Sequence, residues 1–348
     1  LKNHLFIDAC FGRPVDRAPV WMMRQAGRYL PEYRAIRKKH NFIKMYKTPE
    51  LATEVTLQPI DIVGADAAIL FSDILVIPEA MGMALEFHEG RGPVLPQPLR
   101  DEQGIDGLET KEVAGNLTFV YDAIKMLRRE LNDRVPLIGF SGAPWTLATY
   151  MVEGGGSKNY KSVKGMRFAR PDLLEKLLNK LGDAVVAYCK AQIEAGAQAI
   201  QLFDSWAGNL DADGYLTYVL PRIKDTIAKI KKENVPIIYF ARGSMHLLDE
   251  VSQCGADVVG IDWSITSAAA KKAVAGRSAV QGNLDPTALY ASPEVIRQNV
   301  RTMIEGFKGA KGYVANLGHG ILPDIPVEHA KAFIASVKEE SEKIYKNA

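Results

Sequence analysis

The chain has 348 residues, 47% of them hydrophobic, enough to bury the core of one large domain or two ordinary ones. Lys and Arg number 43 against 41 Asp and Glu, a net charge of +2, so no broad basic field is available to hold nucleic acid or an anionic membrane. Cys10, Cys189 and Cys254 are odd in number and far apart, which argues against a disulfide framework and for a reducing compartment. No uninterrupted apolar run approaches the roughly 18–20 residues needed to span a bilayer, so a soluble protein is expected. The first residue is Leu1 rather than Met, with no basic-then-apolar signal pattern, and a processed mature chain is one expectation.

In chain order, the first element is the apolar run "APVWMM" (18–23), which breaks straight into the charged stretch "RQAGRYLPEYR" (24–34). Seven further short β-prone runs follow: "DAAILF" (66–71), "PLIGFS" (136–141), "AQAIQLF" (197–203), "VPIIYFA" (235–241), "DVVGI" (257–261), "SAVQG" (278–282) and "GYVANLG" (312–318). Each is nearly apolar throughout, as strands covered on both faces should be. Segments of helical spacing lie between them. The stretch 171–196 carries apolar residues at three- and four-residue steps and closes on Gly196. The stretches 211–234 and 292–309 behave alike, the latter with Ser292 as the expected N-cap and Pro293 in the first turn.

Strands alternating with helices imply a parallel sheet, because each crossover returns the chain to the same edge. Eight such units favour a closed (β/α)8 barrel over a doubly wound sheet. A barrel needs about 250 residues, which leaves roughly 100 for insertions. These are expected near 78–107 and 153–165, within one domain spanning 1–348. No linker, low-complexity stretch or solenoid repeat marks a boundary.

In such a barrel, chemistry collects just after the C-terminal ends of the strands. Arg24 and Arg28 follow the first run, Asp73 the second, "GAPWTLATYMVEGGG" the third and Asp204 with Ser205 the fourth. Arg242 follows the fifth, Asp262 the sixth, Asn283 and Asp285 the seventh, and His319 the eighth. Arginines, a histidine, hydroxyls and carboxylates at one mouth suit a small polyanionic organic substrate. Each residue also has a purely structural alternative. Arg24 and Arg28, four apart, would share a solvated helix face, and Asp73 could cap the helix that follows it. Tyr150 fits an apolar core, Ser205 a helix cap, and His319 a turn between glycines that would also admit a ligand closely. "EGGGSKNY" (153–160) lacks the order of a phosphate-binding loop. No zinc-type cluster or dinucleotide fingerprint is present.

"WMMRQAGRYLPEYR" and "GFSGAPWTLATYMVEGGGSKNY" resemble the two signature segments of the uroporphyrinogen decarboxylase family. "FSDIL", "FDSWAG" and "NLGHG" match further segments in the same order, so the resemblance covers essentially the whole chain. It implies a (β/α)8 barrel, usually homodimeric, that uses neither cofactor nor metal. The implied reaction removes the four acetate carboxyl groups of uroporphyrinogen III, giving coproporphyrinogen III in haem and chlorophyll biosynthesis. The wording of the second segment is closest to the plant plastid and cyanobacterial branch, so the plastid stroma is one expected compartment and the cytoplasm the other. Carried over residue by residue, the substrate-binding positions are Arg24, Gln25, Ala26, Gly27, Arg28, Asp73, Tyr150, Ser205 and His319, with Arg37, Phe42 and Ser72 as second-rank positions.

The substrate's pyrrole N–H groups converge, and an ionised Asp73 is purely an acceptor, so one carboxylate can hold the ring while Arg24, Arg28, Arg37 and His319 take peripheral carboxylates. Asp73 would also stabilise the cation formed when a pyrrole carbon is protonated. For the proton donor, Arg24, His319, Tyr150 and a water stay open; His319 is matched to neutral pH by type. Two competing readings have other requirements. A zinc- and cobalamin-linked methyltransferase of related fold needs a His and Cys set at the strand exits. A non-catalytic tetrapyrrole carrier needs the arginines but not Asp73.

Overall fold

The computed structural model describes residues 4–346 except 89, 91 and 233; Leu1 lies outside them. Nine strands are present among the described residues: β1 (Ala68–Ile69), β2 (Glu86–His88), β3 (Gly92–Val94), β4 (Leu137–Gly142), β5 (Ala199–Asp204), β6 (Ile237–Ala241), β7 (Val258–Gly260), β8 (Ala279–Leu284) and β9 (Tyr313–Leu317). Seven of them form one parallel sheet in the order β1-β4-β5-β6-β7-β8-β9, and β2 pairs antiparallel with β3 outside it. Helices occupy the crossovers. The longest, Pro171–Ala195, buries Leu173, Leu174, Leu177, Leu178 and Leu181 on one stripe and stops at Gly196, whose φ of +120° side chains rarely adopt.

The 18–23 run closes the ring, but not as the strand its composition predicts. Only Val20 bridges, to Ala315 of β9, while Trp21 N–H donates to the Ala315 carbonyl at 3.3 Å and Ala315 N–H to that of Pro19 at 2.9 Å. On the other side Asp66 N–H donates to the Val20 carbonyl at 2.7 Å, and Val20 N–H to Asp66 Oδ2 at 3.0 Å. Beyond Val20, side chains replace the ladder. Met22 N–H donates to Gln25 Oε1 (3.1 Å), Gln25 Nε2 to the Ala67 carbonyl (2.9 Å), and Met23 N–H to Asn316 Oδ1 (3.0 Å). A backbone group is as well satisfied by an amide side chain as by a strand, so the run stays apolar and buried without extended pairing. The result is a closed (β/α)8 barrel in a single domain.

Gln25, expected at the substrate, is fully buried and joins both edges of the closure. Its replacement by Ala would leave the Met22 donor and the Ala67 acceptor unpaired, each costing about 1–3 kcal/mol. Gln25→Ala is therefore expected to lower unfolding free energy by about 2–5 kcal/mol, read from the urea midpoint at unchanged slope.

Two helical expectations need adjustment. The 211–234 stretch runs as a short helix (Ala212–Gly214), a π-helical turn (Tyr215–Val219) and a helix ending at Ile230. Pro221, which has no N–H and crowds the carbonyl four residues back, accounts for the widened turn before it. Ser292 holds the N-cap position of helix Pro293–Phe307, but its side chain accepts no bond from the helix.

The barrel is packed, not hollow. Trp21 Nε1 donates to Gln281 Oε1 (2.9 Å) and Gln281 Nε2 to Gln201 Oε1 (3.0 Å), a chain of fully buried side chains across the interior. Strand register places Phe140 beside Gln201, and Phe240 beside Phe203, on this same inner face. The Phe140 and Phe203 rings meet edge to face at 5.8 Å, closer to the C-terminal end, where they floor the mouth.

The two stretches expected as insertions pack on each other. Val94 bridges Gly155, and Leu95 N–H donates to the Gly154 carbonyl at 2.9 Å. Gly154 also ends helix Pro144–Glu153 in the left-handed region, and a Cβ there would press on Leu95 O at 3.2 Å. The glycine run of 153–160 thus serves a helix end and a hairpin contact.

Candidate active site

The first loop sets the arginines. Arg24 adopts φ +61°, a region that costs a non-glycine residue energy unless its surroundings hold it there. Gln25 N–H turns back to the Met22 carbonyl at 3.0 Å, and Ile321 N–H donates to that of Met23 at 2.9 Å. Gly27 fits this turn because a Cβ would stand 2.6 Å from the Arg24 carbonyl oxygen. A Cβ at Gly320 would overlap Arg24 Cδ and stand 2.7 Å from Cγ, so the eighth loop is shaped around that side chain. Arg34 Nη1 ties the loop by donating to the Arg28 and Tyr29 carbonyls at 2.8 and 3.2 Å. Arg24 and Arg28 are exposed within the cleft and form no ion pair among the described residues.

Asp73 stands at the exit of β1. Its Oδ1 accepts from Leu75 N–H at 2.8 Å, and this turn leads into helix Val76–Ala80; Oδ2 has no hydrogen-bond partner among the described residues. Asp73 is thus both a local turn-former and a carboxylate with one open oxygen. Burial lifts its pKa to about 6, against the opposing pull of the Leu75 N–H and of Arg24. Tyr150 lies near both: burial first, and then Asp73, push its phenol up to about 12. The Tyr150 ring rests on Trp206 at 5.8 Å, so this tyrosine lines the mouth as well as packing.

Ser205 occupies the turn after β5, half-buried; the short 3-10 helix that follows takes Trp206 as its cap residue and receives no side-chain cap. The loop is anchored instead from behind. Asp204 accepts from Thr146 Oγ1 (2.6 Å) and the Tyr239 hydroxyl (2.9 Å), and Trp206 N–H donates to Thr146 Oγ1 (3.2 Å).

His319 is half-buried with its ring centroid 6.4 Å from that of Phe240, and its Nδ1 is buried without a hydrogen-bond partner among the described residues. Burial first, then Arg242 and Arg24, lower its pKa to about 3, and Asp262 only partly opposes them. The ring suited by type to donate a proton at neutral pH is therefore neutral in the free site. The expected result is a His319 ring signal in histidine NMR that stays in the neutral form from pH 8 to 5. A midpoint near 6.5 would contradict the reading.

Arg37 Nη1 donates to the His40 carbonyl at 3.2 Å. Phe42 sits in an aromatic cluster with Phe71 (5.7 Å), Tyr46 (5.3 Å) and Phe87 (4.9 Å), beneath the segment that carries Ser72 and Asp73. Ala26 belongs to the first loop and is half-buried. The mouth therefore brings together Arg24, Asp73, Tyr150 and His319, with Arg28 beside Arg24. Sequence reasoning noted Arg242 at a strand exit without assigning it to the site, and overlooked Phe203, Phe240 and Gly320. Period-two parity along β5 and β6 was the signal for the phenylalanines.

A family model described as "Uroporphyrinogen decarboxylase (URO-D)" matches residues 1–340. The chain belongs to the uroporphyrinogen decarboxylase family.

Relatives named uroporphyrinogen decarboxylase are 51% identical in Chloroherpeton thalassium, 50% in Chlorobaculum tepidum and 49% in Hahella chejuensis, each alignment covering 99% or more of both chains. Among solved structures, a methyltransferase from Methanosarcina mazei superposes with a TM-score of 0.82 at 24% identity, covering 96% of this chain and 97% of its own. A B12-independent methionine synthase from Shewanella does so at 0.57 and 11% identity, covering 95% and 96%. At those identities the two structures establish the shared barrel alone. Within this uroporphyrinogen decarboxylase fold, no three His, Cys, Asp or Glu side chains among the described residues stand close enough to share a metal ion.

Proposed function

We propose that the mouth binds uroporphyrinogen III and that its residues remove the four acetate carboxyl groups in turn, giving coproporphyrinogen III. The observation that carries this reading is the pairing of an open Asp73 oxygen with Arg24 and Arg28, guanidiniums free of ion pairs, at one barrel mouth. Asp73 Oδ2 accepts from the converging pyrrole N–H groups, and hydrogen bonds to a charged partner contribute about 1.5–3 kcal/mol each. Arg28 and Arg24 take peripheral carboxylates, and Phe140 and Phe203 support the ring from below.

Direct loss of carbon dioxide would leave a carbanion. A proton added to the neighbouring pyrrole carbon gives a cationic ring, whose charge Asp73 stabilises as it develops. The C–C bond to the carboxylate then breaks, and its electron pair neutralises the ring cation. A proton taken up at the exocyclic carbon makes the methyl group, and the ring carbon releases its own. Each acetate thus consumes one proton net and yields one carbon dioxide. In the free site Arg24 is protonated and His319 is neutral, so Arg24 has the proton to give; burial and the neighbouring guanidiniums lower its pKa from the ordinary value. The Asp73 carboxylate pulls the other way.

The test is anaerobic incubation of chelator-treated enzyme with uroporphyrinogen III, followed by oxidation and separation of products by carboxylate number. A ladder from seven to four carboxylates supports the reading. An unchanged eight-carboxylate peak from folded protein overturns it and favours a carrier or the metal-dependent methyltransferase. The homodimer implied by the resemblance belongs to the same proposal and is read by sedimentation. No helix among the described residues is long and apolar enough to cross a membrane. The relatives reported above are bacterial, which favours the cytoplasm over the plastid stroma.

A further inference from the structure

Arg242 is the cation at this mouth that neither the family-derived positions nor the mechanism above uses. Its backbone is immobilised on three sides. Arg242 N–H donates to the Asp204 carbonyl at 3.2 Å, extending the β5–β6 ladder by one residue, and its carbonyl accepts from Gly208 N–H at 3.0 Å. The next residue, Gly243, donates to Asp262 Oδ2 at 2.8 Å. Gly208 packs so closely here that a Cβ on it would stand 2.7 Å from Gly243 Cα and 2.8 Å from the Arg242 oxygen. Such a tight support leaves the side chain, not the loop, as the part free to meet a ligand.

The direction of that side chain follows from the strand. Arg242 lies two residues beyond Phe240, whose ring faces the barrel interior 6.4 Å from the His319 ring. Period-two alternation puts Arg242 on the same side, one layer nearer solvent. Its charge reaches Arg24, His319 and Tyr160, acting on the ionisation of all three. Around the ring the 18–23 segment is followed by β1, β4, β5 and β6, so β6 is the fifth of eight positions and stands opposite the first. Arg24 and Arg242 thus enter the mouth from facing walls.

Some buried or half-buried arginines of this chain are paired, whereas Arg37 and Arg222, also half-buried, form no ion pair among the described residues. Arg17 meets Asp66 at 2.7 Å, Arg128 meets Asp133 at 2.9 Å, and Arg167 meets Asp211 at 2.8 Å. Arg242 is also half-buried, yet its guanidinium has neither an ion pair nor a hydrogen bond among the described residues. Two guanidiniums without ion pairs, entering from opposite walls, repel across the cleft, and anionic ligand groups bound between them relieve that repulsion. We propose that Arg242 is a carboxylate-binding residue of this site, holding a peripheral carboxylate of the substrate on the wall facing Arg24 and Arg28. The inference rests on the reading of the substrate as a ring bordered by carboxylates. It makes the grip two-sided, with the macrocycle spanning the mouth above Phe140 and Phe203.

The test compares steady-state turnover of uroporphyrinogen III by wild type, Arg242→Gln and Arg242→Lys. Binding of the octacarboxylate uroporphyrin III is followed in parallel by tryptophan fluorescence. Loss of a charge-assisted, bidentate contact predicts a KM about 10- to 100-fold higher for Arg242→Gln, with kcat changed less than about threefold. Porphyrin binding should weaken to match, and Arg242→Lys, which keeps charge but loses the fork, should fall between. An unchanged KM and unchanged porphyrin affinity in Arg242→Gln overturn the proposal, as does a collapse of kcat at constant KM. Should Arg242→Gln fail to fold by circular dichroism, Arg242→Lys decides: a severalfold rise in KM supports the contact, and a wild-type KM overturns it. Wild-type enzyme that makes no product overturns the decarboxylase reading instead, while porphyrin binding still decides whether Arg242 holds a carboxylate.

Discussion

Asp73→Asn is expected to lower turnover at pH 7 by at least about a hundredfold while making the protein more stable, two effects with one physical origin. Burial raises the Asp73 pKa to about 6 in the folded chain, against an ordinary value of 3.8. Between those values the folded state keeps a proton that the unfolded state has lost. Stability therefore falls as pH rises through this window, and the loss is complete above pH 6. A shift of this size corresponds to about 2–3 kcal/mol of stability lost to ionisation at neutral pH. The Asn amide keeps an acceptor for Leu75 N–H but cannot ionise, so the loss disappears. Wild type and variant should melt together near pH 4 and separate by pH 7, with the variant higher. Catalysis moves the other way, because a neutral amide cannot offset the charge of a protonated pyrrole ring. For the same reason wild-type kcat/KM should decline as pH drops through 6. Near-normal turnover in Asp73→Asn would end the electrostatic mechanism; equal melting temperatures at pH 7 would end the assignment of an ionised, partly buried carboxylate.

Gly320→Ala is the second large expected effect, and it leaves every charged group of the site in place. The added methyl would overlap Arg24 Cδ and crowd Nε at 2.9 Å. The backbone of Arg24 cannot yield, since its left-handed turn is held through Met22, Gln25 and Ile321. The side chain must swing instead. A displacement of about 1 Å at a reacting group costs on the order of a hundredfold in rate, and kcat/KM should fall by that order. Global stability should fall by only about 1–3 kcal/mol, as for other overpacking changes. Circular dichroism and urea unfolding establish the fold, and kinetics reads the site. A variant with wild-type kcat/KM would mean that Arg24 need not lie where Gly320 places it.

Much of this architecture was legible from composition along the chain. Seven apolar runs, each coated on both faces in a parallel barrel, overlap the strands of the sheet, because continuous burial leaves a continuous hydrophobic record. The run at 18–23 left the same record without forming a strand. Several of its hydrogen bonds go to side chains, of Gln25 close by and of Asp66 and Asn316 far along the chain, and no local pattern announces the distant partners. The structural use of the Gln25 side chain was hidden for a related reason: a buried amide and a ligand-facing amide look alike in a motif.

By itself the sequence determined that the chain alternates strand and helix, that it forms one barrel, and that arginines, carboxylates, a tyrosine and a histidine follow its strands. Those properties depend on residue type and spacing, which a one-dimensional string contains. Only the tertiary structure decided the charge states and the pairings. His319 is held neutral by burial and then by Arg242 and Arg24, Asp73 is lifted towards neutral pH by burial, and Gly320 is small because Arg24 passes over it. Each of these is a distance between groups remote along the chain, and electrostatic and steric energies depend on distance in space.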